Sequence, residues 1–438
     1  MNRLSGKKQL LVGLTLFSMF FGAGNLIFPP FLGVQAGGST WTAMTGFAMS
    51  AIGFPVLGVV AVARAGGLDA LAGRVHPVFA FVFTLLIYLS IGPCLAIPRT
   101  ASTSFEMAVA PFVTQTALGS SGGLKMAQVL YSAGFFLTAL LLALKPDKLS
   151  DRLGKILTPC LLTLILLIFA GCVLHPVGEY GNAVAAYEKN PMVKGFLEGY
   201  LTMDTIAALN FGIVIALNIQ AMGVTEEKAV VSATVKAGII AGIVLLAVYS
   251  ALAHIGAMTG ETFGVMDNGA QTLNRVVQYQ FGNAGAVILA AIFFIACLNT
   301  CVGLLSCCSR YFCTIIPRVG YRAWVFVFAG ASLVISNAGL NKILEISVPV
   351  LNMIYPVAIV LIVLAFLHPL IRKMRLVYPV CALFTGVVSI GSEIPALAPA
   401  VGRLPLHELG LQWIVPAAAG GILGAVLSFV WRRGTVAD

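Results

Sequence analysis

The segment MFFGAGNLIFPP, residues 19–30, places helix-weakening residues inside a long run without charge. Each glycine in a helix interior costs about 1 kcal/mol relative to alanine. Pro29 and Pro30 each remove a helical hydrogen bond. Backbone groups without partners are costly in an apolar environment and survive beside protein or a polar cavity. The pattern therefore predicts either two half-helices that meet at a ligand or, as the simpler alternative, a glycine-lined helix contact with a proline kink.

Two such half-helices would offer complementary backbone groups to a ligand. The half-helix after Gly24 presents free amides and the positive end of its dipole, which suit a carboxylate. The half-helix that ends near Phe20 and Phe21 presents free carbonyls, which suit a cation. Gly22 lets a ligand approach the main chain, as does Gly24. The segment thus predicts a site for a small zwitterion and a monovalent cation, with an apolar lining that favours an apolar side chain.

A second segment, GYLTMDTIAALNFG from Gly199 to Gly212, has the same character. It lies in a helix expected from about Lys194 to Met222, and it combines small residues and hydroxyls with an acidic residue. An ionisable group inside a membrane span is a functional candidate, and the alternative for Asp204 is an interfacial residue at a helix start. Asp204 is therefore a candidate site residue, together with Thr202 and Thr205.

The composition requires that these segments cross a membrane. The chain has 438 residues, of which 59% are hydrophobic and 10% charged, against about one quarter charged in soluble domains. A membrane helix needs about 20 apolar residues, and the first charge-free run has room for two, so twelve helices are expected. The charge-free runs are 9–63, 77–98, 126–144, 156–178, 205–225, 237–260, 276–309, 323–341, 346–371, 376–392 and 409–431.

Most of the 26 Lys and Arg residues fall on one side of this topology, which predicts a cytoplasmic location for both termini. The net charge of +10 is thereby explained without nucleic-acid binding. Interruptions five helices apart are typical of inverted repeats, here about 9–173 and 194–371, followed by two peripheral helices at about 374–432. The basic residues assigned to the cytoplasmic side are Arg3, Lys7, Lys8, Arg64, Arg74, Lys145, Lys148, Arg152, Lys155, Lys228, Lys236, Arg310, Arg318, Arg322, Arg372, Lys373, Arg375, Arg432 and Arg433.

The sequence gives little indication of ATP hydrolysis, enzymatic activity or transition-metal binding. There is no glycine loop with Lys for ATP and no HExxH motif, so neither an enzyme nor a cofactor is expected. Cys297, Cys301 and Cys308 share a helix face but indicate a helix contact rather than a transition-metal site. Arg99, near a helix end, is expected to extend its side chain toward the interface, and the alternative is that it gates the outer vestibule. The rival classes are a channel and an intramembrane enzyme.

Three segments carry a resemblance to a known family. GLTLFSMFFGAGNLIFPP, GPCLAIPRTASTSFE and GYLTMDTIAALNFGI resemble the branched-chain amino acid:cation symporters of the BrnQ type, which have a LeuT-like fold. The resemblance implies an all-α, multi-pass protein of the bacterial cytoplasmic (inner) membrane. It also implies import of leucine, isoleucine and valine by alternating access, driven by sodium or, in some members, by protons. The alternatives are a proton-coupled transporter of another small apolar zwitterion and a small-solute channel.

The resemblance also implies which residues bind the ligands. The family's helix-1 motif matches Gly22-Ala23-Gly24-Asn25, with Asn25 assisting a cation beside the substrate. A second cation site uses carbonyls of helix 1 and a triplet on helix 8, where Asn299 stands in place of an expected hydroxyl. The candidate substrate contacts are Phe20, Gly22, Ala23, Gly24, Asn25, Thr202, Asp204 and Thr205. The candidate sodium ligands are Ser18, Phe21, Asn25, Ala296, Asn299 and Thr300.

Overall fold

The computed structural model describes residues 4–113, 121–144 and 158–434, and every regular element in these ranges is helical. The main helices are α1 (Gly6–Phe20), α2 (Ala23–Ala36), α3 (Thr40–Ala48), α4 (Phe54–Ala65), α5 (Pro77–Leu89), α6 (Ala96–Ala108), α7 (Ser121–Ala143), α8 (Thr158–Leu174), α9 (Pro191–Glu198), α10 (Asp204–Ala221), α11 (Glu227–Ala257), α12 (Gly269–Ile315), α13 (Tyr321–Ser336), α14 (Leu340–Ile371), α15 (Val377–Glu393) and α16 (Ile414–Gly434).

Shorter helical elements connect the main helices. Single-turn helices lie at Leu68–Gly73, Ala110–Val113, Ala185–Glu188, Gly260–Phe263 and Ala398–Val401. The 3-10 turns are Gly37–Ser39, Gly199–Thr202 and His407–Leu409, and the π-helical turns are Met49–Gly53 and Ser90–Cys94.

Seven helical stretches in the described ranges are long and apolar enough to cross a bilayer. They are Ala23–Ala65, Pro77–Ala108, Gly122–Ala143, Asp204–Ala221, Glu227–Ala257, Gly269–Ile315 and Leu340–Ile371. Four shorter apolar helices accompany them, at Thr158–Leu174, Tyr321–Ser336, Val377–Glu393 and Ile414–Val430. Large apolar side chains such as Leu166, Val334 and Ile422 are exposed on these helices, as expected for surfaces that face lipid.

The first helix is interrupted where the glycines predict it. α1 ends at Phe20, and α2 begins at Ala23. Between them Phe21 has a ψ angle of 98°, and Gly22 is extended, with φ −135° and ψ −155°. The prolines do not add a second break, because α2 continues through Pro29 and Pro30 to Ala36.

The second interruption lies one residue before Asp204. α9 ends at Glu198 and continues as the 3-10 turn Gly199–Thr202. Met203 then adopts a left-handed conformation, with φ 68°, and α10 starts at Asp204. A left-handed residue with a side chain costs of order 1–3 kcal/mol and persists only where its surroundings hold it. Met203 is buried, and its left-handed backbone stops the 3-10 turn before α10 starts.

Helix packing brings the two interruptions together. α2 packs against α11 and α12, and it also touches the turn Gly199–Thr202. α6 packs along α12, and α10 packs along α4. The ends of α1, α2, α9 and α10 therefore meet in the protein interior, between α6, α11 and α12.

Part of the predicted topology falls outside the described ranges. Among the basic residues assigned to the cytoplasmic side, Arg3, Lys145, Lys148, Arg152 and Lys155 lie outside the residues that the structure describes. The repeat boundaries and the cytoplasmic location of the termini remain predictions from the sequence.

Candidate functional site

The two interruptions are joined by a buried cluster of Asn25, Asp204 and Tyr249. The side-chain amide of Asn25 donates to Asp204 Oδ2 at 2.6 Å and also to the Tyr249 hydroxyl. The Tyr249 hydroxyl donates in turn to the same Asp204 oxygen, at 3.1 Å. All three side chains are at most 2% exposed. Tyr249, on α11, was not singled out from the sequence, because nothing in its apolar surroundings marks it as a partner for a carboxylate on α10.

Asn25 also closes the start of α2. Its Oδ1 accepts the backbone N–H of Gly22 at 3.0 Å, which satisfies a donor freed by the interruption. The first turn of a helix leaves further amides without partners inside the helix, and here they belong to residues that follow Gly22. A Cβ atom on Gly24 would lie 2.8 Å from Arg99 Nη2 and 3.2 Å from Thr202 Cα. A side chain at this position would force the guanidinium and the Thr202 backbone to shift, so glycine allows α2 to approach both groups closely.

Arg99 is part of this site and does not extend to the interface, contrary to the sequence-based expectation. It is 3% exposed. Its guanidinium donates to the carbonyl of Leu201 at 2.7 Å and to that of Thr202 at 3.4 Å, and it lies 5.6 Å from the ring centroid of Phe28. The 3-10 turn ends at Thr202, which leaves the carbonyls of Leu201 and Thr202 free to accept hydrogen bonds from the guanidinium. The charged side chain therefore has its partners inside the protein. The sequence signal that could have indicated this position is an Arg within an otherwise apolar span, because such residues usually face the protein interior.

Thr202 and Thr205, which the sequence groups together, have different surroundings. The Thr202 hydroxyl donates to the carbonyl of Gly199 at 2.9 Å and accepts the Asp204 N–H at 3.4 Å. The Thr205 hydroxyl donates to the carbonyl of Ser50 at 3.0 Å, in the π-helical turn between α3 and α4. Thr202 lines the central cavity, and Thr205 is not among its lining residues.

The central cavity contains most of the candidate substrate contacts. Phe20, Gly22, Ala23, Gly24, Asn25, Thr202 and Asp204 line it. Arg99 and Thr100 on α6 and Thr300 on α12 contribute further polar groups. The rest of the wall is mainly apolar and is formed by Met19, Ile91, Ala96, Met203, Ala207, Phe211 and Leu304. The cavity thus combines one acidic and one basic side chain with free backbone amides and an apolar wall.

The candidate cation ligands lie together at the end of α1. The Thr300 hydroxyl donates to the carbonyl of Phe21 at 3.2 Å, and the Asn299 amide donates to Ser18 Oγ at 3.3 Å. Ala296 is fully buried, about one turn earlier on α12. Asn299 Oδ1 is buried without a hydrogen-bond partner among the described residues. Asn25 lies in the neighbouring cluster with Asp204, as described above.

A second, larger cavity of about 730 Å³ adjoins the central one. Met19 lines both cavities. The larger cavity is also lined by Asp69, Tyr88, Arg310 and Tyr311. The rings of Tyr88 and Tyr311 stack with their centroids 3.8 Å apart. A single side chain, that of Met19, is therefore common to the walls of the buried site and of this wide cavity.

Solved transporter structures have a similar fold. Mhp1, described as a nucleobase-cation-symport-1 family transporter in a closed conformation with bromovinylhydantoin bound, matches with a TM-score of 0.62, 15% identity and coverage of 98% of this chain and 93% of its own. MhsT in complex with L-phenylalanine matches with a TM-score of 0.57, 16% identity and coverage of 96% and 98%. These similarities show a shared fold of the LeuT-like type.

Sequence relatives are closer and cover nearly the whole chain. The branched-chain amino acid permease BraB of Bacillus subtilis (strain 168) is 40% identical and covers 96% of both chains. The branched-chain amino acid transport system 2 carrier protein of Pseudomonas aeruginosa is 40% identical, with 97% of both chains covered. The permease BrnQ of Salmonella typhimurium is 38% identical over 99% of this chain and 97% of its own. These relatives are named as permeases and carriers, not as enzymes. Residues 5–430 match the family described as branched-chain amino acid transport protein, and the chain therefore belongs to that family.

Proposed function

We propose that this protein is a secondary active transporter that imports leucine, isoleucine and valine across the bacterial cytoplasmic membrane together with a cation. Sodium is the favoured coupling ion. The observation that carries the proposal is the central cavity, in which Arg99 and Asp204 accompany the free end of α2 and an apolar wall. The names of the relatives support the branched-chain substrates.

The charges of the cavity suit a zwitterion. The amides at the start of α2 and the guanidinium of Arg99 favour a carboxylate. Asp204 supplies the opposite charge for the ammonium group. Because the two side chains balance, a net anion or a net cation would leave one of these buried charges without a partner, which is costly. The apolar wall that includes Phe20 and Phe211 then suits an aliphatic side chain.

The end of α1 suits a monovalent cation. Hard cations prefer oxygen ligands, and the carbonyl of Phe21, the hydroxyls of Ser18 and Thr300 and the amide oxygen of Asn299 lie in one small region. The unpaired Asn299 Oδ1 supports this proposal, because a bound cation would satisfy it. Asparagine thus replaces the expected hydroxyl with another oxygen donor.

A proton is the second candidate for the coupling ion, and Asp204 is the observation that favours it. Its carboxyl group is buried and accepts hydrogen bonds from the Asn25 amide and from the Tyr249 hydroxyl. Protonation would remove its negative charge without dismantling the cluster.

Alternating access is proposed on twelve helices with inverted repeats at about 9–173 and 194–371. The shared fold with Mhp1 and MhsT supports this arrangement. With both termini in the cytoplasm, the 730 Å³ cavity next to Met19 would open toward the cytoplasm, while Arg99 and Phe28 would cover the central site from outside. Because ligands shift equilibria only by differential affinity for the states, substrate and cation must both stabilise an intermediate closed on both sides.

The test is uptake of labelled leucine into proteoliposomes that contain the purified protein, under an inward sodium gradient, an inward proton gradient or neither. Concentrative uptake that needs sodium supports sodium symport. Uptake driven by protons alone supports the second candidate, and no uptake under any gradient refutes the substrate assignment.

A matched pair of variants locates the cation. Thr300→Val removes the hydroxyl beside Phe21 and should raise the sodium concentration for half-maximal uptake by at least tenfold. Thr163→Val removes an exposed hydroxyl that donates to the carbonyl of Pro159 in α8, and it should leave sodium activation unchanged. Equal effects of the two substitutions would contradict a cation at the end of α1.

A further inference from the structure

Basic side chains from three segments of the chain lie at the ends of helices that pack together. Arg64 is in the last turn of α4, and Arg74 follows the short helix Leu68–Gly73. His368 is in the last turn of α14, and Arg372 directly follows that helix. α14 packs against α4, against the short helix and against α15. We call these four residues the basic corner.

Arg74 is fixed in place by Tyr378 in the first turn of α15. Its guanidinium donates to the Tyr378 hydroxyl at 3.0 Å and lies 5.8 Å from the centre of the same ring. The Tyr378 hydroxyl donates to the carbonyl of Leu364 at 2.8 Å and lies 3.3 Å from His368 Nδ1. The other nitrogens of Arg74 are not buried and make no hydrogen bond to a residue that the structure describes. One side of the guanidinium is thus held, and the rest can donate to an external acceptor.

No described carboxylate balances the charge of the basic corner. Neither Arg64, Arg74 nor Arg372 lies within ion-pair distance of an Asp or Glu in the described ranges. Asp69, the acidic residue between Arg64 and Arg74 in the sequence, lines the 730 Å³ cavity. His368 lies within electrostatic range of both Arg74 and Arg372. Like charges that lie together repel one another, so a bound anion would stabilise this arrangement.

Apolar side chains are exposed on the two membrane helices that begin or end at the basic corner. Val78 and Phe81 are exposed in the first two turns of α5, which starts three residues after Arg74. Leu367 and Leu370 are exposed in the last two turns of α14. Both helices belong to stretches that are long and apolar enough to cross a bilayer. The basic corner therefore adjoins surfaces that suit hydrocarbon chains.

We infer that the basic corner binds the phosphate group of an anionic phospholipid in the cytoplasmic leaflet. The phosphate accepts from Arg74 and Arg372, and the acyl chains lie along the exposed apolar side chains of α5 and α14. Arginine suits this role because its planar N–H groups match pairs of phosphate oxygens. Basic pockets between membrane helices on the cytoplasmic side bind lipid headgroups, and the topology of the proposed transporter places both arginines on that side.

The bound lipid also has a structural consequence. The segment that leads to Arg74 forms part of the wall of the 730 Å³ cavity, through Gly66, Gly67 and Leu68. A phosphate that joins Arg74 to Arg372 ties this wall to the end of α14. Because a ligand that binds the folded state stabilises it, the lipid should raise the thermal unfolding midpoint of the wild type and not that of Arg74→Gln.

The test is native mass spectrometry of the purified full-length protein in an uncharged detergent, with phosphatidylglycerol or phosphatidylcholine titrated in. The wild type should retain phosphatidylglycerol at least tenfold more tightly than phosphatidylcholine. Arg74→Gln and Arg372→Gln should each weaken phosphatidylglycerol binding about tenfold through the loss of a charge-assisted hydrogen bond. Tyr378→Phe keeps every charge but releases Arg74, and it should weaken phosphatidylglycerol binding about threefold.

Matched controls carry the same chemical changes elsewhere. Arg322→Gln removes an exposed basic residue that is also assigned to the cytoplasmic side. Arg275→Gln removes another arginine that lies over an aromatic ring, 5.6 Å from the centre of Phe263. Tyr321→Phe removes a hydroxyl that donates to a backbone carbonyl at 2.7 Å. All three variants should retain phosphatidylglycerol as the wild type does.

Two further measurements separate a lipid from a soluble phosphate. Leu370→Asn should weaken phosphatidylglycerol binding, whereas Val334→Asn should not, although the two side chains are 76% and 74% exposed. Glycerol 3-phosphate, which has the phosphate without acyl chains, should not displace the lipid at the same concentration. Displacement would overturn the lipid assignment, as would equal effects of the two substitutions.

The remaining outcomes decide whether the basic corner is a specific site. Equal retention of the two lipids by the wild type overturns the inference, and so does unchanged phosphatidylglycerol binding in Arg74→Gln and Arg372→Gln. A loss in Arg322→Gln as large as that in Arg372→Gln indicates attraction to net charge alone and overturns it as well. Since the measurement contains neither leucine nor sodium, each of these results leaves the proposed transport function intact.

Discussion

Gly22 and Gly24 are two residues apart, yet different groups lie against each of them. A Cβ atom on Gly24 would be 2.8 Å from Arg99 Nη2 and 3.2 Å from Thr202 Cα. A Cβ atom on Gly22 would overlap the Thr300 hydroxyl and lie 2.9 Å from Thr300 Cβ. We therefore expect alanine to weaken amino-acid binding at position 24 and cation binding at position 22.

The expected magnitude for Gly24→Ala comes from the contacts of Arg99. The guanidinium cannot move freely, because it donates to the carbonyls of Leu201 and Thr202. A methyl group at position 24 pushes it away from the position proposed for the substrate carboxylate, and a hydrogen bond of a charged group contributes roughly 1.5–3 kcal/mol. Since about 1.4 kcal/mol corresponds to a factor of ten, the leucine affinity should fall about 10- to 100-fold.

The effect of Gly22→Ala should appear in the ion dependence. The added methyl group pushes the Thr300 hydroxyl away from the carbonyl of Phe21, to which it donates at 3.2 Å. Both oxygens belong to the proposed cation site. The sodium concentration for half-maximal uptake should rise at least tenfold, while leucine affinity at saturating sodium should change less than threefold.

The assay is initial uptake of labelled leucine into proteoliposomes, with leucine and sodium varied independently. Gly330→Ala is the matched control, because a Cβ atom at that position of α13 has open space around it and alanine favours a helix by about 1 kcal/mol. It should leave both constants unchanged. Identical changes in Gly22→Ala and Gly24→Ala, or a Gly24→Ala protein that behaves like Gly330→Ala, would refute the separation of the two subsites.

Substitutions at three further positions test single contacts. Arg99→Lys keeps the charge but loses the forked donors that reach two carbonyls, so the leucine KM should rise at least tenfold. Arg99→Gln should raise the KM further. Equal KM values for the wild type and both variants would contradict a role of Arg99 in leucine binding. Tyr249→Phe removes a hydroxyl that accepts from Asn25 and donates to Asp204, and the loss of about 1 kcal/mol should lower the initial uptake rate about fivefold while circular dichroism stays unchanged. Thr205→Val removes a bond to Ser50 outside the cavity, so it should lower the thermal unfolding midpoint rather than the leucine affinity, and the opposite pattern would return Thr205 to the substrate site.

The interruption of the first helix was predictable because its causes are local. Gly22 and Gly24 weaken the helix whatever surrounds them, and the structure breaks the helix between Phe20 and Ala23. The position of Asp204 was also predictable, since a carboxylate in an apolar span needs a partner. The exact start of α10 could not be predicted, because it depends on the left-handed backbone of Met203. A helix turns by about 100° per residue, so Thr205 faces Ser50 and not the cavity.

The position of Arg99 could not be predicted for a different reason. A long basic side chain near a helix end reaches the interface unless acceptors are available inside. Here the acceptors are the carbonyls of Leu201 and Thr202, which are free only because the chain leaves the helix at Met203. The burial of one residue thus depends on a backbone conformation about one hundred positions later, which no local pattern near Arg99 records.

Each interruption is closed by side chains that a ligand would have to share or displace. Asn25 binds the N–H of Gly22 and the carboxyl group of Asp204, and Thr300 binds the carbonyl of Phe21. In the proposed cycle, a cation at Phe21 takes over the bond that Thr300 makes to that carbonyl, and a carboxylate at α2 competes for Arg99. Exchanging one polar partner for another costs less than breaking a bond without replacement. Gly22 lies between these two exchanges, because in the proposed cycle the cation binds one of its neighbours and the substrate binds the other. Occupation of one subsite would therefore change the backbone on which the other is built, which gives the proposed coupling of the two ligands a physical basis.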